Sequence, residues 1–162
     1  PHRRTQCHHP QSGGGQRLEK LKFRADYQGL NTLFLGLRPK HDIPLLCRQA
    51  DVALYAVKDK TALKAIAGNK IYDYLGNGTP VVNASLGGDV EDLINRCNGG
   101  ISVPSGDAKG MAEAILELAN NPNKKDLFAQ NAEQFIRNNM TASQQMVLFS
   151  QIIKNVLQSS RN

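Results

Sequence analysis

Short apolar runs alternate with helical segments through most of this chain. The runs at 32–37, 51–57, 80–84 and 100–104 have the length of strands, and none is long enough to span a membrane. Strands buried on both faces of a parallel sheet are continuous apolar runs, and the returning helices cover that sheet. The alternation therefore predicts an α/β fold with a parallel sheet and helices on both faces.

Three segments of the chain differ in character. Residues 1–12 show no hydrophobic period, so we expect a disordered or non-native segment without a strand. Residues 13–140 carry the α/β pattern and are predicted to form a Rossmann-like domain. Residues 141–162 form a predicted amphipathic helix that begins at a capping box, Thr141 with Gln144. Its apolar face needs a partner surface, and we expect it to be partly exposed.

Charge and cysteine content exclude several classes of function. The net charge is +6, but residues 1–24 hold six basic side chains against one acidic one, and the rest of the chain is nearly neutral. We therefore expect no nucleic-acid partner. Three widely spaced cysteines fit neither a disulfide framework nor a zinc site, and no element is predicted to hold a metal at the Cys7-His8-His9 cluster. With no apolar leader, a cytoplasmic location is expected.

Residues 68–82 predict a short helix, a glycine turn and a buried strand. Lys70 and Asp73 are three residues apart and project from the same side of that helix. Lys70 can meet an anion, Asp73 can accept hydrogen bonds from hydroxyls, and the helix start at Gly68 and Asn69 adds free N–H groups. This combination suits a nucleotide sugar, in which a diphosphate lies beside a ribose. An amphipathic helix with both charged side chains in solvent explains the same pattern.

Three polar or glycine-rich segments follow predicted strands, at 36–40, 58–70 and 85–89. Ligands of parallel α/β sheets bind beyond the carboxyl ends of the strands, so these segments are expected to share the ligand-binding rim. Gly87 and Gly88 could approach a donor sugar, although a plain turn into a helix capped by Asp89 accounts for them equally well.

The order of these segments resembles the donor-binding half of family 4 glycosyltransferases, which have the GT-B fold. The resemblance extends over about residues 13–139 and is closest to bacterial enzymes of surface-polysaccharide assembly. It rests on the joint spacing of segments 33–36, 43–52, 69–82, 87–88 and 100–107.

The resemblance implies roles for individual residues. An acid at the position of Asp73 binds the ribose hydroxyls, and the helix start at Gly68 and Asn69 faces the diphosphate. Lys70 matches a family lysine and is the candidate catalytic residue, because it would offset charge on the leaving diphosphate. The donor-binding set is completed by the turn against the base and the glycine pair: Leu37, Arg38, Gly87 and Gly88. The nucleotide sugar is a substrate, and no cofactor or metal is expected.

Departures from the family pattern predict a fragment. Ala65 stands where the family commonly has a first glutamate, and Asp73 is shorter than the usual glutamate. The family's basic phosphate-binding residues and its acceptor domain have no counterpart in the sequence. We therefore expect hexosyl transfer, to a glycan or lipid-linked acceptor, only in a longer protein, which could associate peripherally with the cytosolic face of a membrane. A nucleotide-sugar epimerase of the same architecture and a non-catalytic nucleotide-binding or interaction module remain alternatives.

Overall fold

The computed structural model describes residues 9–12, 17–57 and 68–159, the first segment by its backbone. Two compact units divide the chain, residues 1–43 and residues 44–162, and each is described by itself. Several predictions lie outside the described residues. They concern the expected lack of a metal site at Cys7 and His8, the glycines at 13–15, and the polar loop that contains Ala65.

The first unit contains two parallel strands. Its elements are β1 (His9–Ser12), α1 (Leu18–Tyr27), β2 (Thr32–Gly36) and a 3₁₀ turn (Lys40–Asp42). β1 pairs with β2 in parallel, with His9 opposite Thr32. The expectation that residues 1–12 hold no strand is therefore wrong for 9–12. Composition argued against a strand, but ladder pairing uses backbone N–H and C=O groups, which polar residues carry as well as apolar ones.

The second unit is built on a three-stranded parallel sheet. Its order is β3 (Ala53–Ala56), β4 (Val81–Ala84) and β5 (Gly100–Val103), so the central strand is β4. Tyr55 stands opposite Asn83, and Asn83 opposite Ser102. The predicted parallel sheet is confirmed here, and its strands lie within the predicted runs. The helices are α2 (Ile43–Gln49), α3 (Asn69–Gly76), α4 (Asp89–Cys97), α5 (Ala108–Asn120), α6 (Pro122–Asn139) and α7 (Ala142–Ser159).

Apolar side chains cover both faces of this sheet. Successive residues of a strand point to opposite faces, so Val81 and Val82 of the central strand belong to different clusters. Both valines are fully buried. One cluster joins the sheet to α3 and α4 through Ile71, Leu75, Leu93 and Ile94, and the other joins it to α5 and α6 through Leu118 and Phe128. Coverage of both faces, as predicted, is confirmed for the second unit.

The first turns of α7 and α4 test two predicted helix caps. The predicted capping box of α7 is present, because the Thr141 N–H donates to Gln144 Oε1 at 2.9 Å and the Gln144 N–H donates to Thr141 Oγ1 at 3.4 Å. The predicted cap of α4 is wrong: Gly88 is the cap residue, and Asp89 is the first residue of the helix. Glycine has no side chain that could cap α4 from that position, and the carboxylate of Glu91 accepts from the Gly87 N–H in the preceding loop.

The last helix, α7, exposes its apolar side chains. Six of them are between 43% and 63% exposed, which confirms the expected partial exposure of this face. The described helices include none that could span a bilayer. The six are Met146, Phe149, Ile152, Ile153, Val156 and Leu157.

Candidate functional site

The carboxyl ends of β3, β4 and β5 meet at one edge of the sheet, because the three strands are parallel. We call this the carboxyl edge. The segment 85–88 before α4 and the segment 104–107 before α5 leave from it. The start of α3 lies close to it, because a Cβ on Gly68 would stand 3.6 Å from the hydroxyl of Tyr55 in β3. The Oγ of Ser105 donates to the carbonyl of Val57 at 2.9 Å, so the loop after β5 is tied to the end of β3. Three helix N-termini are thereby brought to one edge.

The start of α3 offers free backbone donors. Gly68 is its cap residue, in an extended conformation and without a side-chain cap, and the Ile71 N–H bonds to the Gly68 carbonyl at 3.0 Å. The N–H groups of Asn69 and Lys70 have no acceptor in the described part of the chain. Uncapped N–H groups and the positive end of a helix dipole attract anions. Gly68 has a negative φ of −62°, so its backbone does not require glycine.

Lys70 and Asp73 are both exposed on α3, and neither forms an ion pair within the described residues. The first turn of α3 contains no acidic residue, so Lys70 is the local charge there. Ile71 and Leu75 bury the opposite side of the helix completely. The structure therefore leaves Lys70 and Asp73 available to a ligand, and it shows the amphipathic helix that both interpretations of this segment predict.

The negative charge of Asp73 affects the pKa of two nearby groups, Cys47 and Tyr74. Burial raises the pKa of the Cys47 thiol above its ordinary value of 9.0, and the nearby negative charge of Asp73 raises it further. Burial likewise raises the pKa of Tyr74, with smaller contributions from Cys47 and Asp73. Asp73, in the second turn of α3, is thus close enough to Cys47 of α2 for its charge to act on that thiol.

The start of α4 has the opposite charge. Its first turn carries Asp89, Glu91 and Asp92, and no basic side chain pairs with them among the residues described. In the loop before it, Gly87 has φ = +69°, a left-handed conformation that favours glycine. The loop therefore presents glycine backbone next to a negatively charged helix start.

A row of polar side chains crosses the sheet beneath these loops. Tyr55, Asn83 and Ser102 are register partners on adjacent strands, so their side chains share one face. The Tyr55 hydroxyl lies 3.6 Å from the point at which a Cβ on Gly68 would stand. The row thus reaches the start of α3. This row was not predicted from the sequence. The signal that could have indicated it is a polar residue at the second-last position of two apolar strands, Asn83 in β4 and Ser102 in β5.

Asn83 is fully buried at the centre of this row. Its Nδ2 donates to the carbonyl oxygen of Ser85 at 2.6 Å and to Ser102 Oγ at 3.1 Å. Its Oδ1 is buried and has no hydrogen-bond partner among the residues that the structure describes. An unsatisfied buried acceptor lowers the stability of a fold by about 1–3 kcal/mol, so the Asn83 amide carries an energetic penalty at the centre of the sheet.

The predicted site residues are distributed over both units. Gly68, Asn69, Lys70 and Asp73 lie on or next to α3, and Gly87 and Gly88 precede α4 at the same carboxyl edge. Leu37 and Arg38 belong to the first unit, where they directly follow β2 and are exposed. The roles assigned to these eight residues remain predictions.

A cavity of about 410 Å³ lies elsewhere, between the end of α4 and the second half of α6. α4 leads away from the carboxyl edge, so this cavity is at the far end of that helix. It is an open cleft that contains none of the predicted site residues. Its lining includes Arg96, Asn98, Asn131 and Phe135.

The family model for glycosyl transferases group 1 matches residues 4–121, most of the chain. The chain belongs to the group 1 glycosyltransferases. Its family assignment agrees with the predicted class of protein. No curated protein matches it in sequence.

Solved structures show the same fold at low sequence identity. HepE from Anabaena, in complex with UDP-glucose, is 23% identical with a TM-score of 0.73, over 93% of this chain and 40% of that one. Sucrose-phosphate synthase from Thermosynechococcus elongatus is 16% identical with a TM-score of 0.76, over 95% of this chain and 39% of that one. WaaG, a glycosyltransferase involved in lipopolysaccharide biosynthesis, is 18% identical with a TM-score of 0.66, over 78% of this chain and 32% of that one.

These similarities concern the fold, and they confirm the predicted Rossmann-like half of a GT-B architecture. This chain spans about 40% of the length of the HepE chain.

Proposed function

We propose that this chain binds the nucleotide-sugar donor of a glycosyltransferase at the carboxyl edge of its three-stranded sheet. The observation that carries the proposal is the contrast between two helix starts at that edge. α3 begins with free N–H groups and Lys70, whereas α4 begins with three carboxylates. A diphosphate is favoured at the first and disfavoured at the second.

The two ends of the donor then have separate places. The diphosphate lies at the start of α3, next to Lys70, and Asp73 accepts hydrogen bonds from the ribose hydroxyls. The sugar extends toward Gly87 and Gly88, where hydroxyl groups meet glycine backbone and the carboxylates of α4. Carboxylates accept hydrogen bonds from hydroxyls but repel phosphate, so the arrangement distinguishes the two halves of the ligand.

The proposed reaction is transfer of a hexosyl group to a glycan or lipid-linked acceptor by a protein longer than this chain. As the bond to the sugar breaks, charge grows on the diphosphate, and Lys70 with the α3 N–H groups stabilises it. The group 1 family assignment favours this reaction over the epimerase alternative. We propose the nucleotide sugar as substrate, with no resident cofactor.

Finer assignments are also proposals. HepE was solved with UDP and with UDP-glucose, which makes a uridine nucleotide the first donor to test. The role of WaaG in lipopolysaccharide biosynthesis supports family 4 and surface-polysaccharide assembly for this chain. A protein of that kind would act in the cytoplasm, with peripheral attachment to the membrane where its acceptor is lipid-linked.

Calorimetric titration of the 162-residue chain with UDP and UDP-glucose tests the proposal. Hydrogen bonds to a charged group contribute about 1.5–3 kcal/mol, so Asp73→Ala should weaken binding by at least about tenfold. The fold should be unaffected, because Asp73 is exposed. Asp126→Ala is the matched control, since Asp126 is an exposed acid on α6. The proposal is wrong if wild type binds no uridine, guanosine or thymidine diphosphate, or if both variants bind as wild type does.

A further inference from the structure

We infer that Asn83 is a positioning residue for the donor: it holds the 85–88 loop at the carboxyl edge. This inference rests on the proposed donor site and adds a residue that neither composition nor family resemblance indicated. It is carried by the hydrogen bonds and burial of the Asn83 amide.

The orientation of the amide follows from its partner. The Ser85 carbonyl oxygen can only accept a hydrogen bond, so the Asn83 nitrogen must face it, at 2.6 Å. The oxygen Oδ1 consequently points away from Ser85, and it is buried without a partner in the described part of the chain. Turning the amide over would place two acceptors against each other.

Stability alone does not account for this residue. A side chain without polar atoms would leave no orphaned oxygen at the centre of the sheet, where its strand neighbours Val81 and Val82 are apolar and fully buried. A valine could reproduce neither hydrogen bond of the amide, and of the two the shorter bond, to the Ser85 carbonyl, is the one that reaches the loop. Ser85 opens the segment that continues through Gly87 and Gly88, so the amide fixes the first residue of the loop.

The other end of the loop is fixed separately. The Glu91 carboxylate accepts from the Gly87 N–H, and Gly88 caps α4. Gly87 is exposed and has no heavy atom within 4 Å of the position its Cβ would take, so packing does not hold the loop at Gly87 itself. With one polar contact at each end, removing the Asn83 contact frees the half that leaves β4.

The test separates loop position from stability. Asn83→Val removes the orphaned oxygen but leaves the Ser85 carbonyl and the half-buried Ser102 hydroxyl without the donor that Asn83 supplies. These effects oppose each other, so the thermal midpoint should change little. UDP-glucose affinity should fall by about tenfold, and amide hydrogen exchange at residues 86–88 should become faster in the ligand-free chain. Asn83→Ser replaces the amide by a shorter polar side chain that cannot reach as far, and it provides a second variant should the valine form fail to fold.

Val82→Ala is the control for general destabilisation. Val82 is the preceding residue of β4, buried on the opposite face. It should lower the thermal midpoint without changing affinity or exchange in the loop. The inference is overturned if a folded Asn83 variant keeps wild-type affinity and loop exchange while Asp73→Ala loses affinity. If wild type binds no nucleotide, the proposed function fails, and loop exchange still decides whether Asn83 positions the loop.

Discussion

Removal of the Lys70 charge is the most direct test of where the diphosphate binds. Lys70→Met deletes the ammonium group and keeps most of the aliphatic stem, and Lys70 is exposed, so the fold should tolerate the change. Two unit charges 4 Å apart interact by about 1 kcal/mol in bulk water and about 4 kcal/mol near a protein surface. Exposure of Lys70 places the effect near the lower value.

With more than one negative charge on a diphosphate, we expect a loss of about 1.5 kcal/mol, or about tenfold in Kd. The free N–H groups of α3 remain in the variant, so binding should be weakened rather than abolished. Calorimetry with UDP measures the loss. Salt provides an independent reading, because the Debye length falls from about 10 Å at 0.1 M to about 3 Å at 1 M. The affinities of wild type and variant should therefore converge as salt is raised.

Lys154→Met is the control for net charge. Lys154 is exposed on α7 and the substitution removes the same single charge. It should leave UDP affinity unchanged. Equal losses in the two variants would show a non-specific effect of net charge, and no loss in Lys70→Met would return Lys70 to a solvated helix position. Either result refutes the proposed place of the diphosphate.

Two further predictions concern stability. A Cβ on Gly100 would stand 2.0 Å from the Val81 carbonyl oxygen. Gly100→Ala should therefore lower the free energy of unfolding, measured by urea denaturation, by about 3 kcal/mol or more. A urea midpoint equal to that of wild type would contradict this packing of β4 against β5. Burial raises the pKa of both Cys47 and Cys97 above 9.0, so their stabilising effect is complete below that pH. It is lost as pH rises through the folded-state values, because the unfolded thiols ionise first. The thermal midpoint of wild type should thus fall above about pH 9, and that of Cys97→Ala should fall less steeply. The same pH dependence in both proteins would contradict this.

The fold of the second unit could be predicted because burial determines both the sequence pattern and the structure. Strands β3, β4 and β5 are apolar runs for the same reason that their side chains lie between two layers of helices. β1 could not be predicted in this way. Its residues pair through the backbone with β2, and an apolar pattern carries no information on such pairing.

The candidate site was predictable only where one helix defines it. Helical period alone places Lys70 and Asp73 on one side of α3, whichever elements surround that helix. The Tyr55–Asn83–Ser102 row depends on the register of three strands that are distant in sequence. Register follows from tertiary packing, so a single polar residue in a strand run gave no indication of its neighbours. The predicted cap of α4 was wrong by one residue: an acidic residue is favourable within the first turn of a helix as well as at its cap, so Asp89 alone did not fix the helix start.

The opposite charges of the two helix starts also match the charge separation of the proposed reaction. When a glycosidic bond to a diphosphate breaks, the leaving group gains negative charge and the sugar approaches an oxocarbenium ion, which is positive. In the proposed orientation, Lys70 and the α3 N–H groups stabilise the first charge, and the carboxylates of the α4 first turn stabilise the second. Neither charge is fully present in the bound donor. In that orientation the edge would interact more strongly with the transition state than with the ground state, which is the condition for raising a catalytic rate.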